Sequence, residues 1–188
     1  MKKLMATALL GLGLISTASA GEVTIDMYGM SYHFKKSEAY HNAPRGWNDG
    51  QYVYNPGIGI EYDWREKGSN GFSPIATLGY FKDCADYDFY YGGVGVQYKN
   101  HILNSNFIWG VKAIAGVANA EDWDVDDNGN AVSYGRETTV LPIANVFIGY
   151  QFKNKNSIKL NIAYVPENNN IGGTSGTDLL FIWAGYSF

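Results

Sequence analysis

Hydrophobic and polar residues alternate along most of the chain, in segments of about ten residues that turn-forming residues separate. The clearest segment is residues 89–98, where one face is aliphatic between Tyr90 and Tyr98 and the other carries mainly Gly and aromatic side chains. A period of two predicts a β-strand. An aliphatic stripe with an aromatic residue at each end is typical of a strand that faces lipid between two membrane interfaces.

Eight segments of this kind predict an all-β fold, an eight-stranded antiparallel transmembrane β-barrel with an up-and-down meander topology. We expect the strands near residues 23–34, 57–65, 72–83, 89–98, 107–118, 139–152, 158–164 and 180–188. An even strand count puts both termini on the periplasmic side. Periplasmic turns then fall at 67–71, 100–105 and 153–156, and external loops at 35–52, 84–88, 119–138 and 167–178.

A secreted β-sandwich is the alternative fold, because its strands also alternate. The strand length, the aromatic strand ends and the terminal Phe188 favour the barrel, and so does the lack of a second cysteine for a disulfide. The predicted location is the bacterial outer membrane, as an integral protein. A barrel of eight strands encloses room for side chains or one slender ligand, which excludes a porin.

The first twenty residues have the pattern of a cleaved signal peptide. Lys2 and Lys3 precede an apolar run, and Ala18-Ser19-Ala20 matches the small-residue cleavage pattern before Gly21. The apolar run is too short to span a bilayer as a helix. We therefore expect residues 1–20 to be removed on export and residues 21–188 to form the barrel domain.

The composition fits a lipid-embedded wall and narrows the chemistry. Of 188 residues, 46% are hydrophobic and only 17% are charged, and the net charge is −4, which disfavours a nucleic-acid partner held by a basic face. The single cysteine, Cys84, excludes an intramolecular disulfide and a multi-cysteine metal site. The loop 119–138 is acidic but carries only the first half of a calcium-loop motif, so we expect a solvated acidic loop, with a weak divalent-cation site near lipopolysaccharide as the alternative. No metal or other cofactor is expected.

Strand parity brings three reactive side chains to the outer mouth of the predicted barrel. In the first strand Tyr28, Met30 and Tyr32 make the better lipid-facing stripe, so His33 points inward and shares that face with Met27, Gly29 and Ser31. Asp83 points inward at the end of the third strand, and Cys84 follows it. The rim would then hold a base, a carboxylate and a nucleophile or proton donor. The alternative is a pair of merely solvated rim residues.

Inward-facing glycines predict a narrow slot inside the barrel. The same parity places five of them on the lumen side: Gly57, Gly59, Gly79, Gly93 and Gly95. A slot that is lined by glycines and aromatic rings would accept an acyl chain. The alternative is that small residues stand opposite large ones simply to let the barrel pack.

Five short motifs in the same order resemble the lipid A palmitoyltransferase (PagP-type) family of outer-membrane barrels, and together they cover most of the chain after Gly21. They lie at Ser31–Phe34, Asn55–Gly59, Phe81–Cys84, Leu141–Ala144 and Ala163–Pro166. The resemblance implies transfer of a palmitoyl chain from a phospholipid to lipid A. It also implies that His33 and Asp83 are catalytic, with Cys84 in the place of the family serine.

This substitution is a departure from the family pattern. A cysteine is a poorer hydrogen-bond donor than a serine, but it could act as a nucleophile through an acyl-thioester. The amphipathic N-terminal helix of the family is also missing. By resemblance, Pro56, Pro142 and Pro166 mark places where lipids enter the barrel laterally, since a proline removes a donor from the strand ladder. A proline at a strand end is the simpler interpretation for Pro166.

The sequence therefore predicts an outer-membrane acyltransferase that moves a fatty acyl chain from a phospholipid to lipid A or another outer-leaflet lipid. Two alternatives stay open. The first is a non-enzymatic small barrel whose external loops mediate binding or surface protection, and the second is a lipid hydrolase with water as the acceptor. The expected partners are outer-membrane lipids, namely phospholipid and lipopolysaccharide, and we expect a monomer.

Overall fold

The computed structural model describes residues 21–34, 46–47, 51–125, 131–165 and 178–188. The predicted signal peptide, Pro166 and most of the fourth predicted external loop lie outside these residues. Among the described residues, no helix is long and apolar enough to cross a membrane.

The described residues form one antiparallel sheet that closes on itself. Its strands are β1 (Glu22–His33), β2 (Gly46–Trp47), β3 (Tyr52–Asp63), β4 (Gly71–Lys82), β5 (Asp88–His101), β6 (Phe107–Val125), β7 (Ala131–Gln151), β8 (Ser157–Val165) and β9 (Leu179–Ser187). Each long strand pairs with the next, and β1 pairs with both β3 and β9. Eight strands therefore make a closed barrel, as predicted. The two-residue β2 pairs with the start of β3, at Tyr52 and Val53.

The outer wall of the barrel is an apolar band. Its exposed aliphatic side chains include Met27, Ile58, Leu78, Val94, Val96, Val111, Val117, Val140, Val146, Ile148, Ile158 and Leu160. Exposed aromatic side chains lie toward both ends: Trp64, Phe72, Phe107, Trp109, Phe152, Tyr186 and Phe188 near the short turns, and Phe34, Tyr54, Tyr90 and Tyr164 near the opposite rim. An aliphatic band between two aromatic girdles is the lipid-facing surface of a transmembrane barrel. The short-turn end is the one predicted to face the periplasm, so we call it the periplasmic end and the opposite end the outer rim.

The periplasmic half of the lumen is filled with buried ion pairs. Lys112 Nζ lies 2.8 Å from the carboxylate of Glu61, while Lys99 and Lys159 lie 3.0 and 2.7 Å from the two oxygens of Glu22. The buried charged residues of this half are four acids and four bases: Glu22, Asp26, Glu61 and Asp63, with Arg65, Lys99, Lys112 and Lys159. These side chains form a floor that closes the barrel on the periplasmic side.

The outer half of the lumen is aromatic instead. Rings of Tyr28, Phe81, Tyr91, Phe181 and Trp183 pack together, with centroids 4.9–6.5 Å apart in the contacting pairs. These rings lie directly above the charged floor, because the Trp183 indole N–H donates to the buried carboxylate of Asp26 at 3.1 Å. The lumen therefore changes from ionic to apolar along its axis.

The parity that is predicted for the first strand is wrong in its N-terminal half, up to Tyr28. Tyr28 is buried in the lumen and Met27 is exposed, the reverse of the expectation. The reason is a β-bulge between Tyr28 and Met30, which adds one residue and turns the strand over. Beyond the bulge the prediction holds, since Ser31 and His33 are buried.

Two strand boundaries also differ from the prediction. The second barrel strand begins at Tyr52 rather than near residue 57, and the short β2 lies inside the predicted loop 35–52. The predicted loop 119–138 is mostly strand, because the β6–β7 ladder continues to the pair Val125↔Ala131. Polar and acidic residues at these positions look like a loop in the sequence, yet a two-stranded ribbon outside the membrane can carry them.

Candidate active site

His33 and Cys84 meet at the outer rim. His33 is the last residue of β1, and Cys84 begins the tight turn after β4. Both strands flank β3, so their upper ends lie on either side of one strand. The Cys84 Sγ atom lies 3.3 Å from His33 Nε2, and both side chains are buried. This is the spacing of a nucleophile and its general base.

Two neutral polar side chains that the sequence analysis did not assign a role complete the surroundings of the thiol. Ser31 Oγ lies 3.2 Å from His33 Nε2 and 3.5 Å from Cys84 Sγ. The Asn55 amide Nδ2 donates to the Lys82 carbonyl at 3.1 Å and lies 3.8 Å from Cys84 Sγ. Strand parity already placed Ser31 on the face of His33, whereas Asn55 fell before the predicted start of its strand.

Asp83 is directed away from the imidazole. Its Oδ1 accepts the backbone N–H groups of Ala85 at 2.9 Å and Tyr87 at 2.8 Å, and its Oδ2 accepts the Trp123 indole N–H at 3.0 Å. The carboxylate therefore organises the turn that carries Cys84 and reaches across to β6. Its hydrogen bonds do not run to His33, so an orienting role toward the imidazole stays a prediction.

Burial alters the protonation of both turn residues. It raises the pKa of the Asp83 carboxyl to about 6, against the opposing effect of hydrogen bonds from Tyr87, Trp123 and Ala85. It raises the pKa of the Cys84 thiol to about 12, although the hydrogen bond with Ser31 acts in the other direction. The thiol is therefore neutral at physiological pH, and attack by its sulfur requires a base that removes the proton during the reaction.

An apolar cavity of about 180 Å³ lies beneath this group. Its polar lining at the rim includes Ser31, Asn55, Asp83 and Cys84, and its apolar lining below includes Tyr28, Phe81, Phe89, Ile114, Leu141 and Trp183. An apolar cavity of about 150 Å³ is known to hold benzene, so this one has room for a segment of a hydrocarbon chain. The reactive pair thus stands at the polar end of an apolar chamber.

Beside the cavity, the ladder between β7 and β8 is shorter than its neighbours. Among the described residues it stops at Asn145↔Ala163, although β7 continues along β6 and β8 continues along β9 as far as Val165↔Leu179. Pro142, Ile143, Tyr164 and Val165 line the cavity, and Pro142 and Tyr164 are also exposed on the outer wall. The cavity therefore reaches the lipid-facing side of the wall here, and we call this place the gap beside Pro142. The register position opposite Pro142 itself is residue 166, which lies outside the described residues.

Pro56 also lies where a ladder stops. The β3–β4 pairing ends at Gly57↔Phe81, and the bulge in the β1–β3 ladder falls at the same level. Pro166, the third proline predicted to mark lipid entry, lies outside the described residues. Lateral entry of lipid at these prolines stays a prediction, with a gap beside Pro142 as its geometric support.

None of the five predicted lumen glycines is among the residues that line the cavity. A Cβ atom at Gly59 would lie 2.3 Å from the Tyr28 hydroxyl, and one at Gly79 would lie 2.3 Å from the Tyr91 ring. At Gly57 and Gly95, a Cβ would lie 2.2 Å from a backbone carbonyl oxygen, and at Gly93 it would lie 2.8 Å from one. In this structure the glycines give room to neighbouring rings and strands, and a direct contact with an acyl chain stays a prediction.

Comparison with known proteins gives similarity in structure alone. No protein-family model matches the chain, and no curated protein matches its sequence. Among solved structures, Neisserial surface protein A is similar with a TM-score of 0.53 and 12% identity, over 90% of this chain and 96% of that one. The N-terminal barrel of Pseudomonas aeruginosa OprF gives a TM-score of 0.45 and 14% identity, over 89% of this chain and 97% of that one. Yersinia pestis Ail gives a TM-score of 0.44 and 14% identity, over 90% of this chain and 99% of that one.

The similarity to Neisserial surface protein A establishes the fold, which is that of a small outer-membrane β-barrel. This fold and the apolar outer wall together place the protein in the bacterial outer membrane as an integral protein. The resemblance to the palmitoyltransferase family stays a prediction.

Proposed function

We propose that this barrel is an outer-membrane acyltransferase that moves a fatty acyl chain from a phospholipid to lipid A or another outer-leaflet lipid. The observation that carries the proposal is the contact of 3.3 Å between Cys84 Sγ and His33 Nε2 at the head of an apolar cavity. A phospholipid ester has the same arrangement, with a reactive carbonyl at the end of a hydrocarbon chain. The polar rim of the cavity would hold the ester group, and its apolar lining would hold the hydrocarbon chain.

In the first half-reaction, the Cys84 thiol gives its proton to His33 Nε2 while its sulfur attacks the ester carbonyl carbon. A carbon–sulfur bond forms, the ester carbon–oxygen bond breaks, and the leaving lysophospholipid oxygen takes the proton from His33. In the second half-reaction, an acceptor hydroxyl gives its proton to His33 and attacks the thioester. The carbon–sulfur bond breaks, and the sulfur regains the proton.

Ser31 and Asn55 would support these steps as hydrogen-bond donors beside the sulfur. A hydroxyl and an amide at this place can stabilise negative charge that develops on the carbonyl oxygen in the transition state. The gap beside Pro142 supports lateral arrival of the lipid from the bilayer, because the lining of the cavity is continuous with the outer wall there.

Mass spectrometry of lipid A and phospholipids from cells that produce each variant tests the proposal. We expect a new acylated lipid and a lysophospholipid with the wild type, and neither with His33→Ala or Cys84→Ala. Cys84→Ser keeps a nucleophilic oxygen at the same place and serves as the conservative variant. Activity with Cys84→Ser but not with the wild type would identify a decayed enzyme, and no lipid change with any variant would refute the acyltransferase.

The second candidate is a non-enzymatic barrel that binds a partner with its external segments. The β6–β7 ribbon favours it, because its ladder extends to Val125↔Ala131, beyond the neighbouring pair Tyr90↔Asn119 at the end of the β5–β6 ladder. Exposed side chains such as Tyr134 lie on this ribbon. Absence of any lipid change, together with normal assembly in the outer membrane, would leave this function as the better account.

A further inference from the structure

The side chain of Trp123 lies over the candidate active site. Trp123 is only 3% exposed, although it belongs to the part of β6 that extends beyond the β5–β6 ladder. It packs in one cluster with Val53 and Cys84, and Ala85 and Tyr87 of the turn pack against that cluster. A tryptophan from the external ribbon thus covers the thiol from above.

Trp123 lies beside a bulge in the ribbon. Along β6 the buried residues occupy even positions such as Ala118 and Ala120, so the burial of residue 123 departs from this alternation. The β6–β7 register shifts between Asp122 and Trp123, because Asp122 pairs with Gly135 and Trp123 pairs with Ser133, which leaves Tyr134 of β7 as the extra residue. Gly135 has a φ of 112°, a backbone region that favours glycine, so the ribbon is irregular at the level where Trp123 packs over the turn.

Two anchors hold the ribbon in this position. The indole N–H of Trp123 donates to Asp83 Oδ2 at 3.0 Å, which links the ribbon to the turn that carries Cys84. At the base of the ribbon, Arg136 donates to the backbone carbonyl of Asp88 and to the side chain of Asn119, both at 2.9 Å. The ribbon is therefore tied to β4, β5 and its own base at once.

We infer that Trp123, held by Asp83, is a specificity-determining residue that shields Cys84 from external water, so that an acyl group on the sulfur passes to a lipid acceptor and not to water. This inference rests on the proposed acyltransferase for its second half. The thioester would be exposed to hydrolysis from the aqueous side if the cap were absent, whereas the gap beside Pro142 faces lipid. Exclusion of water from a closed site is a recognised way to prevent hydrolysis of a reactive intermediate.

The first test measures access to the thiol and does not depend on catalysis. Cys84 is the only cysteine, so a sulfonated maleimide reports on it alone in the purified full-length barrel. We expect Trp123→Ala to raise the labelling rate by about tenfold or more, and Trp123→Phe, which keeps an aromatic ring but loses the hydrogen bond, to raise it less. Trp109→Ala on the lipid-facing side of the same strand is the matched control and should leave the rate unchanged.

Heat-modifiable migration in gel electrophoresis verifies that each variant is a folded barrel. An unchanged labelling rate in folded Trp123→Ala, or an equal increase in Trp109→Ala, would overturn the cap. The second test measures free fatty acid and acylated acceptor in mixed phospholipid and lipid A vesicles. We expect Trp123→Ala to shift the products from transfer toward hydrolysis by about tenfold, and an unchanged ratio would overturn the specificity role. If no variant forms a product, the acyltransferase fails while the labelling result still decides the cap.

Discussion

Asp83 and Cys84 are adjacent in the chain, but their side chains take different parts in the site. Cys84 faces His33, Ser31 and Asn55, while Asp83 faces the turn backbone and Trp123. A pair of neighbouring residues in a tight turn can serve two sites, because consecutive side chains diverge. The nucleophile and the carboxylate therefore need separate tests.

The buried carboxyl of Asp83 predicts a pH dependence of stability. Its pKa is raised to about 6 in the folded protein, so the fold binds this proton more tightly than the unfolded chain, whose carboxyl has its ordinary pKa near 3.8. The contribution is stabilising below about pH 4 and is lost as the pH rises through about 6. We expect the free energy of unfolding in detergent to fall by up to about 3 kcal/mol more for the wild type than for Asp83→Asn over this range.

Denaturant titrations at several pH values measure this difference. Asn keeps a carbonyl oxygen for the Trp123 indole and cannot ionise, so the comparison isolates the proton. Identical pH profiles for the two proteins would contradict the prediction.

At the scale of the strands, a bulge decides which side chains of β1 enter the lumen. It lies between Tyr28 and Met30, and without it His33 would continue the outward-facing set of Ile25 and Met27. A second bulge lies beside Trp123, but its extra residue, Tyr134, belongs to β7. The direction of His33 is thus set by a single inserted residue, which is a recurrent use of bulges next to functional sites.

This explains how far the sequence could predict the structure. Strand number, closure and the faces of regular strands such as β5, β8 and β9 follow from the alternation, because a strand with one lipid face must alternate. A bulge changes the parity of a strand without changing its composition. The alternation therefore assigns Tyr28 to the lipid and Met27 to the lumen, and the structure shows the reverse. One hydrogen-bond partner of Asp83 is Trp123, which the sequence pattern places in the loop 119–138. The two residues are far apart in the chain, and no local sequence signal predicts their contact.

The early end of the β7–β8 ladder among the described residues predicts a specific effect of Pro142. We expect Pro142→Ala to restore a backbone N–H at the gap and to lower the rate of acyl transfer by about two- to tenfold without unfolding the barrel, since added pairing would narrow the opening. Pro74 is the matched control, because it is also an exposed strand proline but pairs with Val96, away from the gap. Initial rates in phospholipid vesicles measure the effect, and an equal loss with Pro74→Ala would show that it is not specific to the gap.

At the scale of the whole molecule, the ionic floor predicts large effects of single substitutions. Lys112 and Glu61 form a buried ion pair at 2.8 Å, so Lys112→Met leaves a carboxylate without that cation in the lumen. We expect a loss of about 3–5 kcal/mol in the free energy of unfolding. The double variant Lys112→Met with Glu61→Gln should recover most of this loss, because neither residue is then charged.

Urea-induced unfolding in lipid vesicles, followed by tryptophan fluorescence, measures these free energies. The control is Lys82→Met, whose ion pair with Asp88 is partly exposed and should contribute little. A small effect of Lys112→Met would mean that water reaches the floor.

The floor also has a kinetic consequence. Among the described residues, the chamber is bounded below by salt bridges and above by an indole, and its opening is the gap in its side wall. A lipid that enters through this gap would have to leave through it before the next lipid enters. Donor and acceptor would therefore use one entrance in turn, which would give double-displacement kinetics and competition by the lysolipid product for that entrance.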